Sequence, residues 1–308
     1  MNKNRKRSIS IVGIILALLM LTILIGSNLQ DQAAQYDHMI ALSNGMAMVK
    51  RDGWWGFIDE TGKEVVPCQY EFASCELTWP AMVVRDDGLV GFIDKTGKEV
   101  VPCQYKGVCN LSDGPALAVS VDELWGFIDK TGKEIIPCQY EYAVYFNEGL
   151  AAVKSDGLWG FIDETGKEVI PFQYEYAVSF YEGLAAVKND GLVGFIDKTG
   201  KEVIPFQYEY ATIFVNGVAR IQCDGLWGFI DKTGKEVVPC QYEVCDWFPL
   251  GRRRIVLVKR DGLWGLVTAT GKELMPCQYK EIDQLENDEE FVRIMRDCGV
   301  LLMKQEKK

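Results

Sequence analysis

From residue 35 onward the chain is written in short apolar runs, each closed by a polar step that contains glycine. One cycle, residues 149–180, reads GLAAVK, an Asp-Gly step, LWGFID, a Thr-Gly step, KEVIP and then QYEYAVSF. Apolar runs of this length broken by Asp-Gly and Thr-Gly are strand and hairpin signals. Each cycle therefore predicts a three- or four-stranded antiparallel meander, with 173–180 as a last strand or a connection. No helical period is evident after residue 30. Side chains alternate along a strand, so in LWGFID Trp159 and Phe161 point to one face while Leu158 and Ile162 point to the other. Both faces are apolar, whereas a sheet with one wet face would alternate apolar with polar. The sheets are thus expected to be covered on both sides, and the small residues of GLAAV suit a crowded innermost strand.

The cycle repeats along the whole chain. Its central glycine falls at Gly56, Gly91, Gly126, Gly160, Gly194, Gly228 and Gly265, with spacings of 35, 35, 34, 34, 34 and 37 residues. A Gln-Tyr pair marks units starting at 35, 69, 104, 139, 173, 207, 241 and 278. The eighth unit keeps an apolar stretch, FVRIMRDCGVLLMK over 291–304, that reads as a hairpin, and it stops before any GKEVIP. A fixed period of this size is the mark of a repeat architecture, and units this short bury a core only by stacking on their neighbours. The expected fold is all-β, a propeller-like ring of about eight short blades or, alternatively, an open solenoid.

The recurring pattern GLAAVKxDGLWGFIDxTGKEVIPxQYEYAxxF resembles the WG-repeat family of bacterial proteins, and the resemblance runs from Gln35 to the C-terminus. It implies a β-rich repeat array, commonly in exported or envelope proteins, and brings no catalytic residues. The chain departs from the family pattern at Val90 and Val193, where the Trp of the WG step is missing, and in the truncated last unit.

Residues 1–30 stand apart from the repeats, which form a domain over 31–308. Lys3, Arg5, Lys6 and Arg7 precede an uncharged stretch whose apolar heart, residues 9–26, is long enough to cross the hydrocarbon of a bilayer. The flanks predict a signal anchor, a single-pass transmembrane helix with a cytoplasmic N-terminus and extracytoplasmic repeats. Secretion after signal cleavage is the alternative. A net charge of -11 over 308 residues argues against a nucleic-acid partner, which requires clustered Lys and Arg.

Candidate chemistry is sparse. Cys68, Cys103, Cys138, Cys240 and Cys277 follow the repeat proline, a site taken by Phe172 and Phe206 elsewhere, so the slot is apolar. Residues one repeat apart are also separated by the stacking distance, ~10 Å, beyond disulfide reach. Cys75, Cys109, Cys223, Cys245 and Cys298 lie off that column and could supply one pair. With no C-x-x-C and His38 as the only histidine, no metal site and no cofactor are expected. The DKTG strings at Asp94, Asp129, Asp197 and Asp231 resemble the phosphorylation motif of cation pumps, but their recurrence identifies them as hairpin turns, with Asp bonding backbone N–H groups and Gly at positive φ. TGKE lacks the Ser or Thr of a phosphate loop, and nucleophilic triads find no usable histidine.

Trp55, Trp125, Trp159, Trp227 and Trp264 could form an aromatic ladder, though Val90 and Val193 at the same position favour a packing role. The largest departure from the repeat is CDWFPLGRRR, residues 245–254, which sets Trp247 and Phe248 beside Arg252, Arg253 and Arg254, a composition common at interfaces. Trp79, in ELTWP, is a weaker candidate of the same kind. The expected function is a non-enzymatic scaffold that binds a protein or a cell-envelope polymer; a structural spacer without a specific ligand and an enzyme acting through an unrecognised site are the alternatives.

Overall fold

A computed structural model describes residues 35–41, 45–74, 79–109, 111, 114–247, 255–282 and 288–297. The predicted anchor, residues 1–30, lies outside this set. No helix among the described residues is long and apolar enough to cross a membrane.

Seven four-stranded antiparallel sheets follow one another along the chain, over 38–70, 72–105, 107–140, 142–174, 176–208, 210–242 and 244–279. In the fourth sheet the strands are Tyr142–Ala143, Leu150–Ser155, Leu158–Asp163 and Glu168–Tyr174, paired in sequence order. The Gln-Tyr pair thus closes the long fourth strand of one sheet instead of opening the next unit. The chain forms two compact units, with the boundary between Cys138 and Gln139.

Turn chemistry sets the register. Asp156 and Gly157 both have positive φ, 49° and 78°, as do Asp190 with Gly191 and Asp224 with Gly225. Two left-handed residues in succession make the tight hairpin turn whose twist matches the strands, and Asp-Gly is well suited to it. The Thr-Gly turns are built as the sequence predicts. Asp163 accepts hydrogen bonds from the Thr165 hydroxyl at 2.6 Å and from the amides of Thr165 and Lys167 at 2.9 and 3.1 Å, with Gly166 at φ 83°. The threonine hydroxyl, followed by backbone donors, holds the carboxyls of Asp59, Asp94, Asp129, Asp163, Asp197 and Asp231 below the ordinary aspartate range.

The expectation of two covered faces is met within each unit. Phe57 and Val66 of the first sheet pack on Ala81, Val83 and Ile93 of the second. Trp159, Phe161 and Ile170 of the fourth pack on Ala185, Val187 and Ile196 of the fifth, and Phe195 and Ile204 of the fifth on Ala219, Ile221 and Ile230 of the sixth. Leu158 departs from the alternation: beside the turn, it is exposed. The small residues of GLAAV occupy the second of four strands, where Ala151, Ala152 and Val153 are fully buried. Adjacent sheets are also tied at their rims. Glu148 accepts from the Gly183 amide and pairs with Lys198 at 3.1 Å, and one repeat later Glu182 accepts from the Asn216 and Gly217 amides and pairs with Lys232 at 3.0 Å.

Two expectations are corrected. The described chain carries seven sheets, not eight, and the stretch read as an eighth hairpin begins as helix α1, Glu289–Asp297. Phe291 and Ile294 sit at helical spacing, and Glu289 places negative charge in the first turn, where the helix dipole favours it. Phe291 is buried against Ile255, Leu266 and Met275 of the seventh sheet. Leu266 stands where Phe161 and Phe195 stand, so α1 covers the face on which the fourth and fifth sheets receive a following sheet.

Candidate functional site

The WG step divides into two halves with different duties. In the fourth sheet Trp159 pairs with Tyr174 and Phe161 with Ile170, so Pro171, Phe172 and Gln173 bulge opposite Gly160 alone. A Cβ at Gly160 would stand 2.7 Å from the Ile170 carbonyl oxygen and 3.0 Å from the Phe172 nitrogen. The bulge closes only over a residue without a side chain. The same crowding meets Gly56, Gly91, Gly126, Gly194, Gly228 and Gly265. It also lets the post-proline residue reach across: the thiols of Cys68 and Cys138 donate to the carbonyls of Val49 and Ala118 at 3.9 and 3.7 Å.

The tryptophan half is interchangeable for packing, since Val193 is as buried as Trp159, 7% against 8% exposed. What Trp159 adds is a surface feature. Its ring lies edge-on between Tyr142 and Tyr176, with centroids at 5.6 and 6.0 Å, and those tyrosines are 44% and 51% exposed. One repeat on, Tyr210 stands 5.7 Å from Trp227, whose other partner is the Arg220 guanidinium at 4.4 Å. Around Trp159 the surface opens into a groove of about 700 Å³ lined by Tyr142, Tyr145, Trp159, Tyr176, Ser179, Tyr181 and Ile213. Tyr145 and Tyr181 join their hydroxyls at 3.0 Å, and Glu141 faces Lys154 at 3.7 Å. The groove is therefore aromatic at its floor, hydroxyl-rich at its rim and close to neutral.

Sequence reasoning did not single out this groove, although a signal was there. Tyr145, Ser179 and Ile213 share one column of the repeat, and Asn147, Tyr181 and Val215 share another. Both columns vary among otherwise near-identical repeats.

The residues that the sequence did single out are placed differently. Trp79 packs on Phe57 at 5.2 Å within the cluster between the first two sheets. Trp247 ends the strand Val244–Trp247, with its backbone opposite Val256. Phe248, Arg252, Arg253 and Arg254 lie outside the described residues, as do Cys75 and Cys298. The eight described cysteines are free thiols, and burial pushes buried Cys245 up to about 12. Off-column Cys223 lies against Cys240, a column cysteine, and with Glu236 they form the one group among the described residues whose ligand atoms are close enough to share a metal ion.

The WG-containing repeat model matches residues 55–75, 91–124, 125–159, 159–192, 194–227 and 227–248, more than half of the chain. This chain belongs to the WG-containing repeat family. No curated protein matches the WG-repeat chain in sequence. Among solved structures it is similar to BamB from Moraxella catarrhalis, at 14% identity and a TM-score of 0.35, covering 70% of this chain and 76% of that one. It is also similar to Hsv2p of Kluyveromyces lactis, at 9% identity and a TM-score of 0.37, covering 74% and 91%. A third is the dihydro-heme d1 dehydrogenase NirN, at 13% identity and a TM-score of 0.37, covering 79% and 66%. Likenesses this loose carry no argument.

Proposed function

We propose that this WG-repeat protein is a non-enzymatic scaffold, anchored through residues 1–30 and displayed outside the membrane, that binds an extended protein segment along its aromatic groove. One observation carries the reading: Trp159 wedged between two exposed tyrosines on a face where its packing role is met equally by valine. Aromatic-lined grooves are a recurring receptor for polyproline II segments. The spacing supports that partner, since stacked sheets lie ~10 Å apart and a polyproline II helix advances ~9.3 Å per three-residue turn. A proline at every third position would keep step with successive sheets and meet an aromatic site at Trp159 and again at Trp227, with Val193 interrupting the row between them. Near-neutral walls favour such a segment over a charged polymer, and the acidic chain disfavours nucleic acid. The divergent stretch 245–254, with Trp247, Phe248 and Arg252–Arg254, extends the same scaffold as a second contact.

Calorimetric titration of the protein with a synthetic proline-rich peptide, and in parallel with an uncharged envelope glycan fragment, tests the reading. Saturable binding of the peptide that is weakened by Tyr176→Ala supports it; binding of the glycan instead replaces the protein partner with a polymer. A closed propeller-like ring, the architecture expected from the sequence, would have to seat a further sheet on the face that α1 occupies. A compact small-angle scattering profile would support the ring, and an elongated one would exclude it.

A further inference from the structure

The sixth repeat differs from the others at the end of its second strand. The residue opposite the first residue of the third strand is Arg51, Ser155, Asn189, Cys223 and Arg260 in the first, fourth, fifth, sixth and seventh sheets. In the first sheet Arg51 pairs with Glu64 at 3.0 Å, beside the post-proline Cys68. In the sixth sheet the guanidinium is replaced by the Cys223 thiol, while the glutamate and the post-proline cysteine remain as Glu236 and Cys240. The bulge over Gly228 brings the post-proline side chain across the sheet, and the ligand atoms of Cys223, Glu236 and Cys240 all lie within 4.8 Å of one another.

We infer that Cys223, Cys240 and Glu236 form a binding site for a zinc-class divalent cation. Two thiolates on one tetrahedral zinc stand ~3.8 Å apart at Zn–S ~2.3 Å, and a carboxylate oxygen binds at ~2.0–2.2 Å, so the observed cluster closes on an ion by small side-chain rotations. Two sulfurs and a carboxylate suit zinc over calcium or magnesium, which take oxygen ligands. Charge points the same way: among the described residues Glu236 has no ion pair, and Asp224 and Glu209 add negative field around Cys223. A thiol binds zinc as thiolate, so each cysteine releases its proton to solvent as the metal–sulfur bond forms. Three protein ligands leave a fourth position for water or a partner's group. The carboxylate distinguishes this cluster from a pair poised for a disulfide, which involves the sulfurs alone.

The test is a titration of the reduced full chain with Zn2+ against a chromophoric chelator, with Co2+ as a spectroscopic probe. The expected result is one equivalent bound per chain, a cobalt–thiolate charge-transfer band, and proton release on binding. Cys223→Ser and Cys240→Phe introduce residues that other repeats carry at these positions, Ser155 and Phe172, so the fold is kept. Each is expected to weaken Zn2+ binding by at least about tenfold, the loss that removal of even an outer-shell partner produces, and Glu236→Gln to weaken it less. No uptake by the reduced chain, or unchanged affinity in Cys223→Ser and Cys240→Phe, overturns the site. A Cys223–Cys240 disulfide in the isolated protein, with no zinc binding after reduction, does so as well.

Discussion

The fourth and fifth sheets are nearly the same molecule written twice. Their strands have the same lengths and the same register, from Leu150 opposite Asp163 to Leu184 opposite Asp197, and both bulge opposite the WG-step glycine. Among the few positions where they part is the residue before that glycine, Trp159 in one and Val193 in the other, and the valine is no less buried. Glycine is thus the half of the motif that folding requires, because the crossing backbone leaves no room for a Cβ. Tryptophan is the half that the fold can do without. Where it occurs between exposed tyrosines, as at Trp159, a groove opens; where it is absent, the aromatic row is interrupted.

The comparison can be broken most sharply at the glycines. Gly160→Ala and Gly194→Ala are each expected to cost more than about 3 kcal/mol, beyond the usual range for overpacking, because the neighbours at 2.7 and 2.8 Å are backbone. Thermal melts should show the two losses to be alike despite the different residues beside them; a mild effect in either would mean that the bulge is free to open. Phe291→Ala tests the other kind of face cover, helix on sheet, and is expected to cost about 3 kcal/mol, at the low end for a buried phenylalanine. Denaturant melts should show the seventh sheet loosening while the fourth and fifth remain paired. Val193→Trp should turn the fifth sheet into a copy of the fourth and continue the row from Tyr176 to Tyr210. Tighter peptide binding of about 1 kcal/mol, roughly fivefold, is the expected gain for one more aromatic contact, read by titration.

The smallest effect concerns acid. The turn carboxylates are depressed in the folded state, so whatever stability they contribute is present above the ordinary aspartate pKa of ~3.9 and is lost as pH falls through the lower folded value. In the seventh sheet Thr268 replaces this aspartate, and its hydroxyl accepts from the Lys272 amide at 3.0 Å. After correction for intrinsic rates, hydrogen exchange at Thr165 and Lys167 should speed up on acidification while Lys272 stays unchanged.

Much of this was legible beforehand, because a strand meander is encoded locally. The Asp-Gly and Thr-Gly turns carry their own geometry, and both apolar faces of LWGFID foretold sheets covered on each side. What escaped was non-local or short. Helix α1 offers little more than two turns of period, and an apolar run of that length reads equally as strand. The Gln-Tyr pair recurs so regularly that it looks like a beginning, whereas pairing of Tyr174 with Trp159 makes it an end. Cys223 and Cys240 stand far apart in sequence and meet only because a glycine lets the fourth strand bulge across the third. The groove was hidden by similarity itself: the columns through Tyr145 and Tyr181 are two among several that differ among the central repeats, and their meaning depends on their meeting beside Trp159.

The most direct test is Trp159→Val, which gives the fourth sheet the residue that the fifth already carries. Melting and proline-peptide titration on the same sample should separate the two halves of the motif. The expected result is a stability loss of no more than about 2 kcal/mol, within the ordinary range for single substitutions, together with a fall in peptide affinity of roughly thirtyfold, the loss that accompanies removal of a central aromatic anchor. Unfolding of the variant, or an affinity unchanged from the parent protein, would contradict the account.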